Sequence, residues 1–154
     1  MRAPVAVGLC ALLMAVPSLV TAQSRATFGK ARLIVSRGDE TEAVKVHLVF
    51  HEDRLEIRAD ETRTLLKTFP YERITNAEYS YSKRPRWKSG AVLAVAVGVF
   101  ALPVFFMKGK RHWLTIVGDG DVALLQLDKT NYKLILPTLE SRAKVTVETV
   151  GDEK

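Results

Sequence analysis

Residues 112–127 read HWLTIVGDGDVALLQL, and residues 128–144 continue DKTNYKLILPTLESRAK. Two apolar runs flank Gly118-Asp119-Gly120-Asp121, a tight-hairpin signal, because Gly and Asp tolerate the positive φ angles that a two-residue turn requires. Beyond Lys129 the period changes: Tyr132, Ile135, Leu136, Leu139 and Ala143 share one helical face, with Lys133, Glu140 and Arg142 away from it. The stretch therefore predicts a hairpin of two strands, 112–117 and 122–127, followed by an amphipathic helix over 129–144. Pro137 lacks an amide hydrogen and crowds the preceding turn, so a kink or a restart is expected there.

Working outward toward the N-terminus, the chain alternates with period two. Residues 31–36 (ARLIVS) lead through Arg37-Gly38-Asp39-Glu40 to 43–50, where Val44, Val46, Leu48 and Phe50 alternate with Lys45, His47 and Val49. After His51-Glu52-Asp53, Leu55 and Ile57 face one way and Arg54, Glu56 and Arg58 the other. A fourth strand is expected at 64–69, a turn through Pro70 to Ile74, and a fifth strand at 75–82. Seven strands and one helix result. Residues 145–149 suit a short extended tail, and 148–154 a flexible end.

Seven strands closed by one C-terminal helix resemble the pleckstrin-homology (PH) superfold. The phrase TFPYERITNAEYS, residues 68–80, and the hairpin and helix from Trp113 to Leu139 are similar to bacterial PH-like and GRAM-like domains. The resemblance covers most of 31–147 and implies a mainly β, seven-stranded barrel or sandwich, one end of which the helix plugs. It implies a module that binds lipids, peptides or other subunits, without catalysis and without a cofactor. Phosphoinositide-binding members carry basic residues around the first hairpin, whereas Arg37-Gly38-Asp39-Glu40-Thr41-Glu42 is net acidic, so that headgroup site does not carry over. The helix also lacks the tryptophan of eukaryotic members, with Tyr132 as its nearest aromatic residue.

The length of 154 residues leaves room for one small domain and a targeting segment. Arg2, the apolar run 5–16, Pro17 and the small-residue site Val20-Thr21-Ala22 read as a signal peptide, 1–22, followed by a linker over 23–30. The alternative is an uncleaved anchor. Cys10 is the one cysteine; it lies inside the apolar run after Leu9, which excludes a disulfide framework and disfavours lipid modification. Export to the periplasm or the outer face of the cytoplasmic membrane is the expectation.

Between the fifth and sixth strands, residues 89–107 read SGAVLAVAVGVFALPVFFM, without a charge. Lys83, Arg84, Arg86 and Lys88 precede this insert, and Lys108, Lys110 and Arg111 follow it. These seven cations exceed the whole chain's net charge of +6, so the basic character is local. Trp87, Phe100, Phe105, Phe106 and Trp113 complete a set of expected membrane contacts, with aromatic rings near the interface and cations facing anionic lipid. Gly90, Ala94 and Gly98 recur every four residues, a small-residue face through which two copies could associate as a homo-oligomer. The uncharged stretch offers nothing to read bases, so nucleic acid is not an expected partner.

A helix of 17–19 residues reaches about 26–28 Å, close to the hydrocarbon thickness, so a two-span protein with an N-terminal anchor and a second helix at 90–107 is the rival arrangement. It would place 23–89 and 108–154 on opposite sides. If the fifth and sixth strands pair, their facing ends lie about 5 Å apart and the insert must leave and return on one side, as an interfacial helix or hairpin. Other chemistry is sparse. His47 and His51 share a face only if their strand stays regular, and a metal site would need a further donor such as Glu52 or Asp53; neither histidine is expected to bind metal. Asp119 and Asp121 read as turn residues, not calcium ligands.

Overall fold

A computed structural model describes residues 25–37, 40–90 and 109–151. The expected signal peptide lies outside the described residues, as does most of the apolar insert, including Ala94, Gly98, Phe100, Phe105, Phe106 and Lys108. The chain runs β1 (Ala26–Arg37), β2 (Glu40–Phe50), β3 (Arg54–Ala59), β4 (Leu65–Pro70), a 3-10 turn (Tyr71–Arg73), β5 (Ile74–Ser82), β6 (Arg111–Gly118), β7 (Asp121–Leu127), α1 (Tyr132–Ala143) and β8 (Val147–Val150).

One mainly antiparallel sheet contains all eight strands, in the order β4-β3-β2-β1-β7-β6-β5-β8. β1 joins the halves: it pairs with β2 along its length and with β7 from Arg32–Gln126 to Ile34–Leu124. The sheet wraps a single main core without closing, which is a PH-like sandwich. Its inner face carries Leu33, Leu48, Ile57, Leu114 and Leu125, all essentially inaccessible to solvent. Ile135 and Leu139 of α1, one helical turn apart, are buried against that face. Each such side chain contributes about 1.5–3 kcal/mol on burial.

The hairpin forms as its residues dictate. Asp119 and Gly120 both take positive φ, 53° and 77°, and Gly118 pairs with Asp121 across the turn. Asp119 ion-pairs with Arg73 at 2.9 Å and Asp121 with Lys67 at 2.5 Å, so both turn carboxylates tie β6–β7 to neighbouring segments.

Three expectations are corrected. Among the described residues there are eight strands, not seven: Lys144 adopts a left-handed conformation after α1, turning the tail so that β8 pairs in parallel with β5. The expected linker contributes to β1, which begins at Ala26 because Phe28 packs edge-on against Phe50 with ring centroids 5.7 Å apart. The helix passes through Pro137 without a restart. Pro137 is the sixth helical residue, so only the Lys133 carbonyl loses its partner, and both residues are solvent-exposed.

Candidate functional site

The roots of the insert are built on β5. Its inward side carries Ala77 and Tyr79; its outward side carries Glu78, Ser80 and Ser82, all three buried although polar. They are buried because residues 83–90 fold back over the outer face of the sheet as a strap. Ser82 Oγ donates to the Arg84 carbonyl, and Ser80 Oγ accepts from the Arg86 amide at 3.3 Å. Glu78 ends the series: its Oε2 accepts from the Lys88 amide at 3.0 Å and its Oε1 from the Ser89 amide at 2.7 Å. A buried carboxylate requires such partners, and here both oxygens meet backbone donors at the start of the insert.

Trp87 lies beneath the strap. Its ring packs against Trp113, Ile34 and Leu124 and against Val117 and Val122, and its Nε1 donates to Thr115 Oγ1 at 2.8 Å. Trp113 is only 2% exposed and donates from Nε1 to the Ser82 carbonyl at 3.1 Å. Both tryptophans therefore face the sheet. Burial corrects the assignment of Trp113 as a membrane contact, since it is core; Trp87 is a half-buried clasp. Lys83, Arg84, Arg86, Lys88, Lys110 and Arg111 are exposed around the two roots.

β5 and β6 pair in antiparallel register from Ile74–Gly118 to Ser82–Arg111. The two roots of the insert thus belong to neighbouring strands of one sheet. Since the strap carries the chain back to the level of Glu78, four residues from Ser82, the two roots stand about 13 Å apart along the strand direction. That replaces the separation of about 5 Å expected between strand ends. Gly109, at φ 94°, supplies the left-handed residue that leads back into β6. The rival two-span arrangement is incompatible with this sheet, because β1–β7 and β5–β6 join the segments it would put on opposite sides.

The histidines have local duties. His47 pairs with Asp60, and His51 stands beyond the end of β2 with Nε2 3.1 Å from Glu56, so the two do not converge. Glu56 is buried and also receives Arg54 Nε at 2.9 Å and Arg58 Nε at 2.8 Å. Burial alone would raise its pKa, but the bonds from Arg58, Arg54 and His51 outweigh it and hold the carboxyl at about 2. His112 stacks on Tyr132, with centroids 3.9 Å apart, and on Tyr81 at 4.6 Å; its Nδ1 meets the Tyr79 hydroxyl at 2.7 Å. Burial lowers the His112 pKa, against a smaller opposing pull from Asp128, and favours a neutral ring. Burial pushes Tyr79 up to about 12.

Sequence reasoning did not anticipate Glu78, Ser80, Ser82 and Thr115. Their alternation with apolar residues matches a strand whose outer face meets water, and only the strap makes that face internal. The one available signal was Trp87 itself, a large ring close to a polar strand.

No family model matches this sequence, and no curated protein does. Among solved structures, a chain of "Structure of the Spt16D Pob3N heterodimer" is similar with a TM-score of 0.51 at 12% identity, over 83% of this chain and 55% of that one. The present chain thus spans about half the length of that neighbour. "The hSac2 domain from human phosphoinositide phosphatase Sac2" aligns with a TM-score of 0.45 at 11% identity, over 85% and 79% of the two chains. Identity this low speaks to fold alone, and the first likeness agrees with the PH-like architecture built above.

Proposed function

We propose that this protein is a non-enzymatic PH-like binding or scaffolding module, exported by its N-terminal segment and held on a membrane surface by the apolar insert. The observation that supports the proposal is that β5 and β6, which flank the uncharged run 89–107, are paired neighbours in one sheet, so that both roots of the run belong to one domain. A segment so rooted can enter one leaflet without dividing the domain. Inside lipid its backbone must be satisfied internally, which a short helix or hairpin achieves. Exposed cations at both roots suit anionic headgroups, each worth about 1 kcal/mol near the surface. The strap deepens this reading: Glu78, Ser80 and Trp87 fix the outgoing root, so the insert is presented from a rigid platform.

The test replaces residues 91–107 with a short Gly/Ser linker, which leaves the Lys88 and Ser89 bonds to Glu78 in place. Flotation with vesicles of phosphatidylcholine and phosphatidylglycerol is measured for both proteins in the form that begins at Gln23, without the apolar run 5–16, with circular dichroism to establish that each is folded. The parent should float and the folded variant stay at the bottom. Equal flotation of the two, or no flotation of the parent, would overturn the proposal.

A further inference from the structure

The second feature of the molecule is a cavity of about 650 Å3 where β1 peels away from β7. Pairing between these strands stops at Arg32–Gln126, and the earlier part of β1 follows β2 alone, leaving a gap toward the β7–α1 turn. The wall collects cations from four parts of the chain: Lys30 and Arg32 of β1, Lys45 of β2, Lys110 and Arg111 at the start of β6, and Lys129 after β7.

Three observations indicate that this charge is meant for a ligand. Arg32 and Lys45 are directly opposed partners on adjacent strands, a like-charge arrangement that destabilises a sheet when nothing lies between the charges. Within the described residues, no carboxylate lies within ion-pair distance of Lys30, Arg32, Lys45, Arg111 or Lys129. Of the two wall carboxylates, Asp60 pairs with His47, whereas Asp128 accepts from the Thr130 amide and hydroxyl and also attracts Lys30 and Lys129 through space, so the compensation of the six wall cations is partial. Finally, Gln126 lines the cavity, is 7% exposed, and has a side-chain oxygen without any hydrogen-bond partner. That oxygen is an acceptor, as are the oxygens of an anion, so Gln126 serves an anion only with its amide turned end for end, which presents the NH2 donors.

We infer that this cavity is a binding site for a small multivalent oxyanion of the phosphomonoester or diphosphate class. Arg32 supplies a planar fork suited to phosphate oxygens, Lys45 and Arg111 add charge-assisted bonds, and Gln126 contributes a neutral contact at the floor. The volume falls in the range of small-molecule sites and leaves room for a group attached to the phosphate. The site lies along the middle of β1, from Lys30 to Arg32, away from the acidic β1–β2 hairpin. Lys110 and Arg111 belong both to this wall and to the return root of the insert, so the anion can be a soluble metabolite or the headgroup of a lipid. The inference does not depend on membrane attachment.

Inorganic pyrophosphate is the probe, titrated calorimetrically into the full chain in neutral detergent. One saturable site per chain is expected. Each charge-assisted contact removed lowers affinity about tenfold, so Arg32→Gln with Lys45→Gln weakens binding about a hundredfold. Gln126→Leu, which leaves every cation in place, weakens it about tenfold by the same reasoning. Arg84→Gln with Lys88→Gln, on the strap outside the cavity, leaves it unchanged. Competition by mixed micelles of that detergent with phosphatidic acid, but not by those with phosphatidylglycerol, assigns the anion to a headgroup; competition by neither assigns it to a soluble phosphate. Absence of a saturable site, or equal weakening by the strap and cavity variants, overturns the inference. Loss of pyrophosphate binding with flotation intact separates this site from the membrane proposal.

Discussion

Replacing Glu78 tests the platform on which the insert is rooted. The side chain is 1% exposed, and its two oxygens accept from the Lys88 and Ser89 amides. Hydrogen bonds to a charged group contribute about 1.5–3 kcal/mol each, so Glu78→Ala should cost about 3–5 kcal/mol, less whatever water recovers when the strap lifts. Glu78→Gln is the sharper variant, because it preserves shape while turning one acceptor into a donor that faces a backbone N–H. It should cost about 2–4 kcal/mol despite its small change in volume. With an unfolding slope near 2 kcal/mol per molar urea, the midpoint should fall by about 1–2 M. Trp87 lies under the same strap, so acrylamide should quench the variant's tryptophan emission more strongly before global unfolding begins. A Glu78→Gln protein with a midpoint within about 0.2 M of the parent and unchanged quenching would refute the assignment of Glu78 as the anchor.

The remaining predictions concern the frame. Glu56 titrates at about 2 in the folded chain against 4.5 ordinarily, so its contribution is complete above about pH 4.5 and is lost as pH falls through 2. The ceiling is about 3 kcal/mol, reduced by solvent because Arg54 and Arg58 are 40% and 33% exposed, and urea midpoints between pH 5 and 2 should fall less steeply for Glu56→Gln than for the parent. A Cβ at Gly118 would stand 2.8 Å from the Arg73 carbonyl oxygen, so Gly118→Ala should destabilise by about 1–3 kcal/mol in thermal denaturation. Pro137→Ala restores an amide for the Lys133 carbonyl in the middle of α1 and should raise stability by about 1 kcal/mol or more; a lower melting temperature would show that the ring has a packing role.

The fold was legible where local chemistry and tertiary need coincide. The period of two in β2 and β3, the Gly-Asp turn at 118–121 and the stripe Ile135–Leu139–Ala143 each name their element before any packing is known. β8 was only partly legible: Val147-Glu148-Thr149-Val150 reads as extended, but its parallel pairing depends on the left-handed turn at Lys144. Trp113 was misread because an aromatic ring near cations looks the same in sequence whether it faces lipid or a strap. The cavity was invisible for another reason. Lys30, Lys45, Arg111 and Lys129 lie far apart in sequence, and no spacing rule gathers them until β1 leaves β7.

The central claim is that the insert meets a membrane from one side while the whole domain stays together. It is tested most directly by single cysteines placed at Glu61, in the β3–β4 loop, and at Ser141, on the exposed side of α1, in a Cys10→Ser background. Vesicle-bound protein is treated with a membrane-impermeant maleimide before and after the vesicles are opened with detergent. Both positions should react to the same extent before opening, on protein that floats with the vesicles. Reaction at one position with protection of the other would place the two halves on opposite sides and contradict the account.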